Sequence, residues 1–321
     1  MQYRKLGNSD LNASVVSIGT WQMGNGEFWS ANMSERESIN TIRAAYDAGI
    51  NLIDTAHIYG AGRSETIVGK AVKEIGRDKV IVATKCGVWF SSGIEYDEST
   101  KCLQCDEHVV TTQIEQSMRR LDIDYIDLYQ AHYAGVTPPE EAMEAMMKMK
   151  QQGKIRYIGI SNFTFDEMRR AFAVAPVVSY QPEFSMLNRI NQPQMDFCRE
   201  NNVGVITYGS IAGGILSGKY RSLANMPTDQ RNEKYPYYDG EAFAKILLLL
   251  KVFDEIAQNH GKPVSHVAIN WVVQQPSVTS AIVGMKSPAQ AKETASAGDW
   301  ELSPEEINLI DTKYAELFLT E

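Results

Sequence analysis

Asn51-Leu-Ile-Asp-Thr-Ala-His-Ile-Tyr-Gly60 passes from apolar residues to an acid, then to a tyrosine, then to glycine. Leu52, Ile53 and Thr55 have the composition of a buried strand end, and the Gly60-Ala-Gly-Arg-Ser-Glu65 that follows reads as a loop entering a helix. A carboxylate and a phenol therefore stand where a strand stops and a loop begins. In parallel α/β proteins that rim is where chemistry is gathered, because the loops there converge on one mouth.

On either side of this stretch, apolar strands alternate with helical segments. Strands are expected at 16–21, at the stretch just quoted, and at 79–85, 125–132, 156–162, 177–182, 203–208 and 278–284. Helices are expected from Ser34 and Thr164, each opened by a capping box with a glutamate three residues on, and over 64–75, 109–121, 139–151 and 192–201. Eight strand-then-helix units with almost continuously apolar strands predict a closed (β/α)8 barrel whose strands are buried on both faces. Residues 1–15 alternate around a Gly-Asn-Ser-Asp turn and predict a hairpin plugging one end of the core. No linker or repeat divides the chain, so residues 1–321 are expected to form a single domain. The polar, aromatic segment 217–240, ahead of helices at 241–259 and 264–274, is long enough to expect a lid.

Composition bounds the function. The 321 residues are 44% hydrophobic, enough for a large core, and carry a net charge of -9. With a pI near 5.2, that balance excludes a nucleic-acid binder, which concentrates Lys and Arg on one face. Residues 1–7 lack a signal-peptide core and no run is long enough to cross a bilayer, so a cytoplasmic address without membrane partners is expected. Four cysteines in so long a chain are expected to be thiols. Cys102-Leu-Gln-Cys105 lacks the second pair that zinc binding requires, and no metal is expected.

If the barrel closes, three strands end in an ionisable residue: Asp54, Lys85 and His132. The two-residue period of a strand points them inward with Leu52, with Ile81 and Ala83, and with Leu128 and Gln130. Tyr59 lies just beyond Asp54. Asp54 would hold Lys85 charged, the ammonium would ease loss of the phenolic proton, and His132 would orient a carbonyl oxygen. No side chain delivers hydride, so the scheme requires a nicotinamide or flavin cofactor. Each residue alone also fits a plain structural role; their convergence on neighbouring strand ends favours chemistry.

At this point the chain resembles the aldo-keto reductase superfamily over essentially its whole length. The resemblance rests on the opening stretch with Ser64-Glu65, on Val82-Ala-Thr-Lys85, on Asp127-Leu-Tyr-Gln-Ala-His132, and on Gly153-Lys-Ile-Arg-Tyr-Ile-Gly-Ile-Ser-Asn-Phe163. The bacterial general aldehyde and sugar reductases, related to potassium-channel β subunits, look nearest. The resemblance implies a catalytic tetrad of Asp54, Tyr59, Lys85 and His132, and NADP(H) as cofactor, with NAD(H) as the alternative. It lends the nicotinamide carboxamide to Ser161, Asn162 and Gln181, and ring stacking to Tyr208. The pyrophosphate falls to Gly209, Ser210, Ile211, Ala212 and Gly213 with Lys219. The adenosine 2′-phosphate falls to Gly284, Met285, Lys286, Ser287 and Gln290, although Ser287 and Gln290 also form an ordinary helix cap. Gly19, Thr20 and Trp21 would touch ribose and substrate. Gly60-Ala-Gly62 is no dinucleotide fingerprint, since Glu65 stands where its third glycine belongs.

Trp21, Tyr59, Trp89, Phe90, His132 and Tyr133 are the expected substrate wall. Tyr133-Ala134 departs from the Trp or Phe then Pro that family members place after the histidine, which implies a different wall here. The expected activity interconverts an aldehyde, ketone or sugar carbonyl with an alcohol. Two alternatives remain open: a redox-sensing subunit that binds nicotinamide and turns over slowly, and a barrel lyase or isomerase with no nicotinamide. A homo-oligomer is compatible with the sequence and is not required by it.

Overall fold

The continuous apolar runs become strands because both of their faces are covered, one by the barrel interior and the other by helices. In the computed structural model, which describes residues 1–25, 29, 32–90, 101–238 and 240–319, the hairpin β1 (Tyr3–Lys5) and β2 (Asn12–Ser14) comes first. It is followed by β3 (Val16–Gly19), α1 (Glu35–Asp47), β4 (Leu52–Asp54), α2 (Arg63–Ile75) and β5 (Ile81–Cys86). A second hairpin, β6 (Val88–Phe90) and β7 (Lys101–Leu103), leads to α3 (Glu107–Leu121), β8 (Ile126–Ala131), α4 (Pro139–Gln151) and β9 (Ile155–Ser161). Then come α5 (Phe165–Val174), β10 (Val177–Gln181), α6 (Gln192–Glu200), β11 (Gly204–Thr207) and a single turn, α7 (Arg231–Lys234). The rest is α8 (Gly240–His260), α9 (Val264–Val273), β12 (Val278–Gly284), α10 (Pro288–Ala295) and α11 (Pro304–Phe318).

Strands β3, β4, β5, β8, β9, β10, β11 and β12 pair in that order, and β12 returns to β3. Every pairing is parallel, so the protein is a (β/α)8 barrel with no free sheet edge. Both capping boxes form, at Ser34 with Glu37 and at Thr164 with Glu167. The expected strand at 79–85 begins at Ile81, because Arg77–Lys79 forms a 3-10 turn. The β6–β7 hairpin was not expected; it pairs Trp89 with Cys102 and Phe90 with Lys101.

The interior follows the two-residue strand period. Leu52, Ile81, Ala83, Leu128, Val178, Ile206 and Ile282 form one buried cluster with Leu6, Leu11 and Ala13 of the first hairpin. That hairpin therefore closes the end of the barrel opposite the strand C-termini. Gly7 makes its turn with φ at +52°, and a side chain there would begin 2.5 Å from the Val178 carbonyl oxygen. Segment 217–240 carries α7; its Asp239 lies outside the described residues. No helix among the described residues is long and apolar enough to cross a membrane.

Leu6 is fully buried in the plug. Leu6→Ala is expected to cost about 2–5 kcal/mol of stability, from lost burial and the cavity left behind. A urea midpoint unchanged from wild type would show that the hairpin is not packed into the barrel.

Candidate active site

The parallel barrel brings every strand C-terminus to one rim. Asp54 ends β4, Lys85 is the penultimate residue of β5, and His132 directly follows β8. The Lys85 Nζ donates to Asp54 Oδ2 at 2.8 Å, to the Thr55 carbonyl at 2.8 Å and to the Tyr59 hydroxyl at 3.2 Å. An ammonium has three N–H donors and no acceptor, so all three are used. It follows that the Tyr59 oxygen accepts from lysine, and its own proton is left to point elsewhere. Asp54 Oδ1 accepts from Gln181 Nε2 at 2.8 Å, which fixes the carboxylate from its other side. Thr20 ties the neighbouring loop to the same strand end by donating its Oγ1 and its amide to the Asp54 carbonyl at 2.9 and 3.0 Å.

Tyr59 stacks on Trp21, with ring centroids 5.8 Å apart, and meets His132 edge-on at 6.3 Å. His132 in turn stacks on Tyr133 at 5.1 Å. Burial, opposed by the Asp54 charge and hydrogen bond, lowers the Lys85 pKa. Burial first, then Lys85, pushes His132 well below its ordinary range, so its imidazole is neutral near pH 7. Burial, with Asp54 and Tyr133, raises Tyr59 well above 10. This departs from the expectation that the ammonium brings the phenol down: burial, the largest cause, disfavours the phenolate. Tyr59 therefore rests as a neutral phenol, the form that can give up a proton.

A cavity of about 970 Å³ opens over this group, at the upper end of the range for ligand pockets. Asp54, Tyr59 and His132 line it, whereas Lys85 lies fully buried behind them. Of the other expected residues, Gly19, Thr20, Trp21, Phe90, Tyr133, Asn162, Gln181, Tyr208, Gly209, Ser210, Ile211, Gly213, Lys219, Gly284, Lys286, Ser287 and Gln290 also face it. Ser161, Ala212 and Met285 do not; they are buried behind the wall, where Ser161 Oγ donates to the Gln181 carbonyl at 2.8 Å. Trp89 is set apart as well. Strand alternation in β6 turns Val88 and Phe90 inward and leaves Trp89 38% exposed on the other face.

The lining fits a dinucleotide. Near Tyr59, the Asn162 and Gln181 amides and the Tyr208 ring offer polar edges and a flat face, with Tyr208 donating to Asn162 Oδ1 at 2.8 Å. Lys219, Arg231 and Lys286 line the same cavity, Arg231 and Lys286 both against the Trp29 ring. The Ser287 hydroxyl caps α10 by accepting from the Gln290 amide, and the Gln290 side chain accepts from the Lys286 amide at 2.8 Å. Arg231 had no sequence signal. It pairs with Asp229 at 2.7 Å and donates to the Gly213 carbonyl at 3.1 Å, which holds segment 217–240 over the cavity. Trp29, Lys101 and Lys234 also line the cavity and were not singled out; they sit in a loop, in the three-residue β7 and in the single turn α7, all too short to carry a periodicity. Cys105 lies 3.5 Å from Cys86, sulfur to sulfur, and all four cysteines are free thiols. Among the described residues no cluster of His, Cys, Asp or Glu could hold a metal ion.

Residues 15–315 match the profile of the Aldo/keto reductase family. The chain is 35% identical to the aldo-keto reductase YhdN of Bacillus subtilis over 97% of its own length and 93% of that protein's. It is 30% identical to the NADH-specific methylglyoxal reductase of Escherichia coli, covering 95% of the chain and 96% of the relative. Among solved structures, the glycerol dehydrogenase AKR11B4 from Gluconobacter oxydans superposes with a TM-score of 0.90 at 32% identity, over 100% of this chain and 97% of that one. The holo form of the aldo-keto reductase AKR11C1 from Bacillus halodurans gives a TM-score of 0.81 at 27% identity, over 98% and 96%.

The buried Asp54–Lys85 pair makes a stability prediction. Asp54→Asn strips the ammonium of its counter-charge and is expected to cost about 3–5 kcal/mol, as for other broken buried pairs. Adding Lys85→Met should recover much of that loss in urea denaturation. Equal stability of wild type and Asp54→Asn would mean that Lys85 is already neutral.

Proposed function

Because the chain belongs to the aldo/keto reductase family, whose members are nicotinamide-dependent oxidoreductases acting on small carbonyls and alcohols, we propose that it reduces an aldehyde, ketone or sugar carbonyl with NADPH, with Tyr59 as the proton donor. The observation that carries this is the Lys85 ammonium spending its third N–H on the Tyr59 oxygen at the cavity wall. A nicotinamide held beside Tyr59 by Asn162, Gln181 and Tyr208 would supply the hydride. Tyr59 gives its proton to the carbonyl oxygen, and Lys85, held by Asp54 and Thr55, stabilises the phenolate left behind. The neutral His132 donates its single N–H to the same oxygen and sets its direction. In alcohol oxidation the phenolate is the base and every transfer reverses.

For the cofactor, Asn162 and Gln181 hold the carboxamide and Tyr208 the ring face. Gly209 to Gly213 with Lys219 take the pyrophosphate, joined by Arg231. Lys286, Ser287 and Gln290 take the 2′-phosphate, and an ammonium beside a helix N-terminus favours that extra anion. The NADH-specific Escherichia coli relative makes cofactor preference the point to measure: kcat/KM should favour NADPH, and Lys286→Met should erase most of the preference. Residues 1–321 act in this reading as a single catalytic domain.

Tyr59→Phe is expected to lose a factor on the order of 10² to 10⁴ in carbonyl reduction while still quenching NADPH fluorescence on binding. Near-normal rates would refute the assigned donor. Negligible NADPH consumption by wild type across an aldehyde and sugar panel would instead point to the slow redox sensor.

The sign of the pH dependence follows from the raised Tyr59 pKa. The phenol stays protonated through neutral pH, so reduction should be flat there and fall only under strongly alkaline conditions, whereas alcohol oxidation should climb with pH. Loss of reduction across pH 6–7 would assign the proton to His132 instead.

A further inference from the structure

His57 stands between the acid and the phenol of the stretch Asn51–Gly60, and the function proposed above leaves it without a task. Its side chain is buried, in a residue only 8% exposed. Nδ1 lies 2.9 Å from the Lys85 carbonyl oxygen, and Nε2 contacts the Val88 carbonyl oxygen. The first contact continues a ladder. The Thr55 amide donates to the Ala83 carbonyl at 2.9 Å, and two residues further along each chain the His57 ring, in place of an amide, meets Lys85. The second contact reaches past Gly87, whose φ is +94°, to the first residue of β6. One imidazole thereby joins the loop that carries Tyr59 to the strand that carries Lys85, and both to the hairpin whose Val88, Phe90 and Lys101 line the cavity.

Carbonyl oxygens only accept. A neutral imidazole has one N–H, so it serves one of the two carbonyls and turns a lone pair toward the other, whereas an imidazolium serves both. Burial disfavours that charge and holds the His57 pKa below its ordinary value; Glu65 and the two carbonyls favour the charge, and Arg120 opposes it. Glu65 of α2 is itself bound by Thr84 of β5 and Arg120 of α3, each at 2.7 Å. Of the other titratable groups at this rim, Lys85 turns its ammonium to Asp54, and His132 is pushed further down by a charge on His57. We infer that His57 is a positioning residue for the substrate wall: as an imidazolium it clamps the start of β6 to the Tyr59 loop, and as a neutral ring it releases one of the two carbonyls. This rests on the carbonyl-reductase function proposed above and adds a proton-linked control of substrate binding. The clamp acts on KM, because a wall that is only partly held lowers the fraction of protein competent to bind. Proton transfer from Tyr59, and with it kcat, does not pass through His57.

The test is steady-state reduction of benzaldehyde at saturating NADPH, from pH 8 down to pH 5, in wild type and His57→Gln. The wild-type KM should fall about three- to tenfold as the second hydrogen bond forms, with kcat flat. His57→Gln, which carries no charge at any pH, should lose that dependence and keep its kcat. A wild-type KM that does not move, or a pH dependence that persists in His57→Gln, overturns the clamp and leaves the reductase function standing. Nitrogen NMR of the wild-type histidine rings, with His57 assigned through bonds to its own backbone, reads the clamp without substrate or variant. Both His57 nitrogens should carry a proton at pH 5 and only one at pH 8. A single N–H throughout overturns the inference. Failure of wild type to reduce any aldehyde overturns the reductase function, and the ring nitrogens then still decide whether the clamp exists.

Discussion

A lysine ammonium with no exposed surface is the constraint on which the rest depends. Removing such a charge from water is expensive, and it persists only where every N–H has an acceptor and one acceptor is charged. Asp54 and Thr55 supply two of these acceptors from the end of β4, so the third N–H is left for Tyr59. The fold thus does more than place four polar side chains near one another. It leaves the phenol no lysine lone pair to donate to, and so turns its proton toward the cavity.

The barrel explains why these groups meet. Parallel closure puts the ends of β4, β5 and β8 side by side, and the strand period turns Asp54, Lys85 and His132 to the same side as Leu52, Ala83 and Leu128. The first hairpin fills the opposite end with Leu6 and Leu11, so the barrel has an apolar floor and a polar rim. Segment 217–240 and the β6–β7 hairpin then build the cavity walls above that rim.

Much of this was legible in the sequence, because strand periodicity depends on neighbouring residues alone. Eight apolar runs and the parity of three strand ends follow from a repeat of two, and the family motifs fall on the same residues. What was not legible depends on contacts across long sequence distances. Trp29 comes from a loop and Arg231 and Lys234 from the single turn α7, which take their positions only from contacts over the cavity, such as Arg231 over the Trp29 ring. Without a recognised β6 strand, nothing in the sequence separated Phe90, which faces the cavity, from the exposed Trp89. Cys105 contacts Cys86 in the fold, although Cys102 is its nearest cysteine in sequence. The direction of the Tyr59 pKa was missed for a related reason: a neighbouring ammonium can be inferred from a motif, but desolvation is a property of the folded surroundings.

The central claim is a charged Lys85 buried behind the cavity wall, and heteronuclear NMR of protein carrying 15Nζ-labelled lysine reads that charge directly, with Lys85→Arg assigning the resonance. The account requires an ammonium resonance at neutral pH that shifts when Tyr59 is replaced by phenylalanine. A neutral amine at that pH, or a resonance indifferent to Tyr59, would contradict it.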